Sequence, residues 1–172
     1  IIVKMDADGQ HDPAEIPRLV KPILEGEADL VVGVRSKEVF GRMSFSKRFG
    51  NFFLSWLTRL MTGCKIYDAQ SGFRAMTRRL AESISFDSKY TYTQEMIIKA
   101  ARKGFRIKEV PINCNKRAFG NSKVASDIFV YGINVLPIFL RVCGNRKSFT
   151  YFLLSILSMS SVIAFIFLKP IV

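Results

Sequence analysis

Two carboxylates one residue apart, Asp6 and Asp8, stand in the stretch MDADGQHDP (5–13), directly after the apolar run IIVK. Ionised Asp is costly to bury and rarely packs a core. At a strand end it holds a charged ligand, caps a helix or turns the chain in water. Side chains alternate along an extended chain, which puts Asp6, Asp8 and Gln10 on one side. Two carboxylates and an amide oxygen form a hard oxygen set, suited to Mg²⁺ or Mn²⁺ shared with substrate phosphates. A calcium loop starting at Asp6 would need Gly and Glu where the chain has His11 and Pro17. Spacing alone leaves a solvated turn as an equal reading, with Asp12 the better helix cap.

Among the basic residues, Arg35, Arg48, Arg117 and Lys123 are candidate phosphate ligands, since Arg offers a planar fork and Lys a compact charge. The segment KRAFGNSK (116–123), where Gly120 and Ser122 accompany Arg117 and Lys123, reads as a loop wrapped around an anion. Asp68 in YDAQSGFRA (67–75), read alone, fits an ordinary turn with a surface ion pair better than a catalytic site. Glu95 suits either an acid–base group or a partner of the helix dipole. The only histidine is His11, which argues against a histidine metal cluster or a Ser-His-Asp triad. No Walker loop or GxGxxG fingerprint is present.

The elements that must position these groups follow from patterning. Residues 1–5 predict a buried strand. Asp12 and Pro13 predict a helix start, with Ile16, Leu19, Val20, Ile23 and Leu24 on one face and a kink or early end at Pro17 or Pro22. ADLVVGVR (28–35) predicts a second buried strand ending at Arg35. Residues 36–47 read as a mobile polar loop, and 48–63 as a helix stopped by Gly63. FRAMTRRLAESI predicts a short strand and a helix. Thr93 is the expected cap of a helix closed by Gly104, and FRIKEVPIN returns as a strand. A strand–loop–helix–strand order of this kind belongs to an open α/β sheet, whose ligands gather beyond the carboxyl ends of the strands.

The chain has 172 residues and a formal charge of +12, a surplus that calls for a polyanionic partner such as nucleic acid, an anionic membrane face or a phosphorylated substrate. No aromatic-interleaved basic motif of the usual nucleic-acid kinds is visible. Cys64, Cys114 and Cys143 fit neither a zinc pattern nor a secreted disulfide framework. The uncharged run from Phe149 to Leu168 has the length of a transmembrane helix, and the basic flank Arg141, Arg146 and Lys147 puts the preceding domain on the cytoplasmic face. Residues 127–142 read as an interfacial segment or a partial second span. Ile1 falls inside an apolar run, so an upstream portion is expected.

In order and at natural spacing, MDADGQHDP, ADLVVGVR, RFGN, DAQSGFRA, TYTQEMIIKAARKGFRIKEVPI and KRAFGNSK resemble the family 2 glycosyltransferases. The nearest likeness is to the dolichol-phosphate mannose synthase-like and polyprenyl-phosphate branch. The resemblance covers about residues 1–125. It implies a GT-A (Rossmann-like) α/β fold lacking its N-terminal half over 1–125, then a juxtamembrane segment (126–147) and a transmembrane helix (148–169). It implies transfer, usually inverting, of a sugar from a nucleotide-diphosphate donor of the GDP-mannose or UDP-glucose type to a polyprenyl or dolichyl phosphate at a bilayer. By motif, Asp6 and Asp8 become the metal-holding pair, assisted by Gln10. Arg35, Arg48, Arg117, Ser122 and Lys123 become substrate-binding groups. Asp68 and Glu95 become acidic catalytic positions near the acceptor, and the leading candidates for the base that a hydroxyl acceptor would need. Two other readings compete: a processive polysaccharide synthase, whose QxxRW motif is missing, and a non-catalytic membrane-tethered binding module.

Overall fold

LVVGVR is too apolar for a strand with one wet face, and it forms a strand covered on both faces. A computed structural model of the chain describes residues 1–41, 43–86 and 92–115. This strand, β2 (Leu30–Arg35), pairs antiparallel with β3 (Arg74–Met76) on one side and parallel with β4 (Ile107–Ile112) on the other. Strand β1 (Ile2–Lys4) completes a sheet of order β1-β3-β2-β4 by pairing antiparallel with β3, Val3 opposite Ala75. β1, β2 and β4 therefore run one way and β3 the other, so three carboxyl ends share one edge.

Alternation along β2 divides the core. Val31 packs with Leu19, Phe73, Ala75 and Ile112 beneath α1 (Ile16–Leu24). Leu30 and Val32 face the other way, toward Ile66, Met76, Leu80, Met96 and Ile97. That second layer is supplied by α3 (Phe45–Thr62), α4 (Arg78–Ser83), capped by Thr77, and α5 (Tyr92–Arg102). A short α2 (Lys37–Gly41) precedes α3. Gly63 ends α3 in the left-handed region at φ 69°, the expected stop.

Several local expectations change. β1 is an edge strand of the described sheet, with Ile1 and Ile2 exposed rather than buried. Residues 36–47 are largely helical: Ser36 O accepts from Val39 and Phe40 N–H, and α3 begins at Phe45, ahead of Arg48. Asp12 does cap, its carboxylate accepting from Ala14 N–H at 2.9 Å, but the capped turn is a 3-10 turn (Pro13–Glu15) leading into α1. Leu24 ends 72% exposed, because α1 stops there instead of continuing over the sheet. Thr93 lies inside the first turn of α5 rather than before it. Among the described residues, no helix is long and apolar enough to cross a membrane. The expected juxtamembrane segment and transmembrane helix (126–169) lie outside the described residues.

Candidate active site

The Asp6–Asp8 loop leaves the carboxyl end of β1 and is clamped on two sides. Gln10 O accepts from Asn115 N–H at 2.8 Å, and His11 forms an antiparallel bridge with Cys114, just beyond β4. The His11 ring stacks obliquely on Phe73 at 5.0 Å, and its Nδ1 lies 3.5 Å from Cys114 Sγ. Desolvation lowers the His11 pKa, although the carboxylates of Asp6, Asp8 and Asp68 work to raise it. Asp8 turns the loop by accepting from Gln10 N–H at 3.1 Å. Asp6 is exposed and packs against Gly72: a β carbon on that glycine would lie 2.2 Å from Asp6 Oδ2.

Beside this loop, Arg35 ends β2 and turns its guanidinium onto Asp68. Nε and Nη2 donate to the two carboxylate oxygens at 2.6 and 2.7 Å, and Asn51 Nδ2 adds a third bond at 3.0 Å. Asp68 is fully buried. Burial works to raise its pKa, yet the bonds and charge of Arg35 hold it below the ordinary carboxylate value. Ser55 extends the network, donating to Asn51 Oδ1 and accepting from Ala69 N–H, which ties α3 to the 67–73 segment. A charge-assisted, bidentate pair of this kind fixes geometry as well as energy.

Among the described residues, no three His, Cys, Asp or Glu side chains converge as a metal-binding group. Asp6 and Asp8 supply two carboxylates on one loop. That donor chemistry fits Mg²⁺ or Mn²⁺, which are commonly held by one or two carboxylates with water and substrate phosphates filling the remaining positions. The cradle over Gly72, shaped to a carboxylate, agrees with a built site.

Residues 1–129 match the profile of Glycosyl transferase family 2. The chain belongs to this family. This family 2 chain is 37% identical over 117 residues to the UDP-N-acetylglucosamine–dolichyl-phosphate N-acetylglucosaminyltransferase of Methanococcus voltae, covering 65% of the chain and 47% of the relative. It is 35% identical over 136 residues to the undecaprenyl-phosphate mannosyltransferase of Micrococcus luteus, covering 74% and 54%. By similarity it falls in the polyprenyl-phosphate branch. Its fold resembles glucosyl-3-phosphoglycerate synthase of Mycobacterium tuberculosis, solved with phosphoglyceric acid, at TM-score 0.63 and 25% identity, over 83% of this chain and 49% of that one. The same enzyme with Mn²⁺ and UDP-glucose gives a TM-score of 0.58, 25% identity, and coverage of 83% and 48%. The mixed sheet is thus of the GT-A kind, and the chain spans about half the length of the relatives it matches.

Of the remaining expected site residues, Arg48 and Glu95 lie among the described residues. Arg48 is exposed on α3, its guanidinium 5.9 Å from the Phe45 ring. Glu95 is buried in the first turn of α5 and paired with Lys99 at 2.7 Å. Arg117, Ser122 and Lys123 lie outside the described residues. Sequence reasoning missed Asn51, Gly72 and Glu109. The one signal for Glu109 was an acid in the middle of an otherwise apolar and basic strand. Its Oε1 accepts from Tyr67 and Asp68 N–H at 2.8 and 2.9 Å, holding the turn that presents Asp68.

Burial raises the Glu109 pKa, so its ionised form is penalised in the folded state. Glu109→Ala is expected to cost about 1–3 kcal/mol in urea unfolding, since two backbone donors lose their acceptor. Glu109→Gln keeps an acceptor oxygen without the charge, and should stay within about 1 kcal/mol of the parent at neutral pH. Equal losses for the two substitutions would refute the acceptor role.

Proposed function

We propose that residues 1–125 form the catalytic part of a membrane-associated transferase that moves a sugar from a nucleotide-diphosphate sugar to a polyprenyl phosphate, with inversion. The observation carrying this reading is the clamped Asp6–Asp8 loop at a carboxyl edge of the sheet, beside the buried Arg35–Asp68 pair. The names of the M. voltae and M. luteus relatives support the lipid acceptor, and the neighbour bound to Mn²⁺ and UDP-glucose supports the donor class and metal dependence.

Asp6 and Asp8, with Gln10, would hold the divalent cation. When bound, the cation supplies neutralisation of charge developing on the departing diphosphate. Asp68 keeps its charge on Arg35 and Asn51, so it anchors the loop rather than accepting a proton. A polyprenyl phosphate is anionic at neutral pH and attacks the anomeric carbon without a strong general base. Arg48 and the 116–123 segment (Arg117, Ser122 and Lys123) are assigned to phosphate oxygens, and Glu95 to positioning on the acceptor side. Residues 126–147 are assigned to the membrane surface and 148–169 to a span, with the catalytic part cytoplasmic.

Helix α3 supports membrane apposition. Phe45, Phe49, Phe52 and Leu60 are exposed along one helical stripe, flanked by Arg48 and Arg59. Aromatic residues beside basic ones on one helix suit a headgroup boundary. Phe45→Ser combined with Phe52→Ser is expected to raise KM severalfold for polyprenyl phosphate presented in vesicles, leaving KM for the sugar nucleotide unchanged. Equal KM values for the lipid would remove α3 from the membrane contact.

The deciding experiment presents the intact protein in vesicles with radiolabelled GDP-mannose, UDP-glucose or UDP-N-acetylglucosamine. Polyprenyl phosphate and 3-phosphoglycerate are offered as acceptors. A single sugar on the lipid, formed only with metal present, is expected. A polymer would indicate a processive synthase, and label on phosphoglycerate alone a soluble acceptor. Metal-dependent nucleotide binding without transfer would indicate a binding module.

A further inference from the structure

Glycine is needed where φ is positive or where a β carbon has no room. Gly9, Gly26, Gly63 and Gly104 have positive φ, but Gly72 does not. Its backbone would accept alanine, and alanine at such a position ordinarily stabilises by narrowing the unfolded ensemble. What meets a side chain there first is the Asp6 carboxylate, with Oδ2, Cγ and Oδ1 at 2.2, 2.9 and 3.1 Å from the position of a β carbon. Those three atoms are the nearest neighbours of that position, and all belong to one movable side-chain tip. The main chain around Gly72 is held independently. Arg74, fully buried, donates from Nε to Ser71 O, from Nη2 to Ala69 O and from Nη1 to Thr93 O. The segment is braced and Asp6 is exposed, so a β carbon would displace the carboxylate and leave the fold intact.

The geometry points to Gly72 as a positioning residue whose missing side chain is the seat of the Asp6 carboxylate. This rests on the reading of Asp6 as a metal ligand and adds the residue that holds that ligand in place. Ligand orientation set by neighbouring residues is typically worth about 10–100-fold in metal affinity.

The test compares the parent, Gly72→Ala, Asp6→Ala and the double variant as intact proteins. Mn²⁺ binding with UDP present is followed by loss of the free-ion electron paramagnetic resonance signal, and thermal unfolding is followed without ligands. Gly72→Ala should unfold at the parental temperature or slightly above it and bind Mn²⁺ at least about tenfold more weakly. In the Asp6→Ala background, Gly72→Ala should leave Mn²⁺ affinity unchanged, because the carboxylate it acts through is gone, and should unfold at or slightly above the temperature of Asp6→Ala. Parental Mn²⁺ affinity in Gly72→Ala, with weakened binding in Asp6→Ala, overturns the inference and leaves the metal reading intact. Parental affinity in Asp6→Ala removes the metal assignment, and the inference with it. If Gly72→Ala does not fold, the double variant decides. Folding like Asp6→Ala supports the seat, and failure to fold overturns it.

Discussion

Asp8→Asn is expected to lower sugar transfer by at least about a hundredfold while leaving the fold in place, on the scale of losing one preorganised electrostatic contact to the reacting charge. The substitution preserves shape and keeps an oxygen to accept from Gln10 N–H, so the turn at 3.1 Å survives. What it removes is the negative charge that, on the proposed assignment, a divalent cation needs beside Asp6. The neighbouring Asp12 provides the control. It caps the Pro13–Glu15 turn through Ala14 N–H, and Asn caps about as well as Asp. Asp12→Asn should leave both stability and transfer near parental values. On the proposed assignment, three aspartates within seven positions separate by role: Asp6 and Asp8 through charge, Asp12 through hydrogen-bonding shape. Parental transfer by Asp8→Asn at saturating Mg²⁺ and Mn²⁺ would sink the metal assignment.

Much of this arrangement was legible in the sequence, for reasons particular to each residue. Asp6 and Asp8 stood out because carboxylates seldom follow an apolar strand without a task. Arg35 stood out because it ends a run too apolar to be anything but a central strand. Gly63 announced the end of α3 because a left-handed residue is the simplest helix stop. Tertiary pairing was not legible. Arg35 and Asp68 are 33 positions apart, and nothing local to either says that each is the other's partner. Gly72 looked like an ordinary turn glycine, since the atom that excludes a side chain there belongs to Asp6, far away in sequence. The helical turns within 36–47 were hidden by polar composition, which reports solvent contact better than backbone geometry. The edge position of β1 escaped notice because apolar content marks a strand without saying how many neighbours it has.

Arg35→Met carries the largest expected effect on stability, about 3–5 kcal/mol, because it leaves the carboxylate of Asp68 buried without its cation. The sign of the pH dependence follows from the same pair. In the parent, the folded pKa of Asp68 is depressed. Its contribution is therefore complete above the unfolded carboxylate value, near 4, and is lost as pH falls through the folded value. Without Arg35 the burial penalty prevails and the folded pKa rises above the unfolded one. The loss in Arg35→Met should then be full at neutral pH and shrink as the solution is acidified toward the carboxylate range. Urea unfolding at pH 7.5 and pH 5 measures this directly, with a smaller gap between parent and variant at the lower pH. A gap that does not depend on pH would mean that the lost packing of Arg35, rather than a stranded charge, accounts for the cost. Asp68→Asn separates anchor from base. An anchor loses stability and transfer together, because the 67–73 segment that carries Gly72 loosens. A general base would lose kcat at parental stability, and that result would return Asp68 to the chemistry and require an acceptor that must be deprotonated.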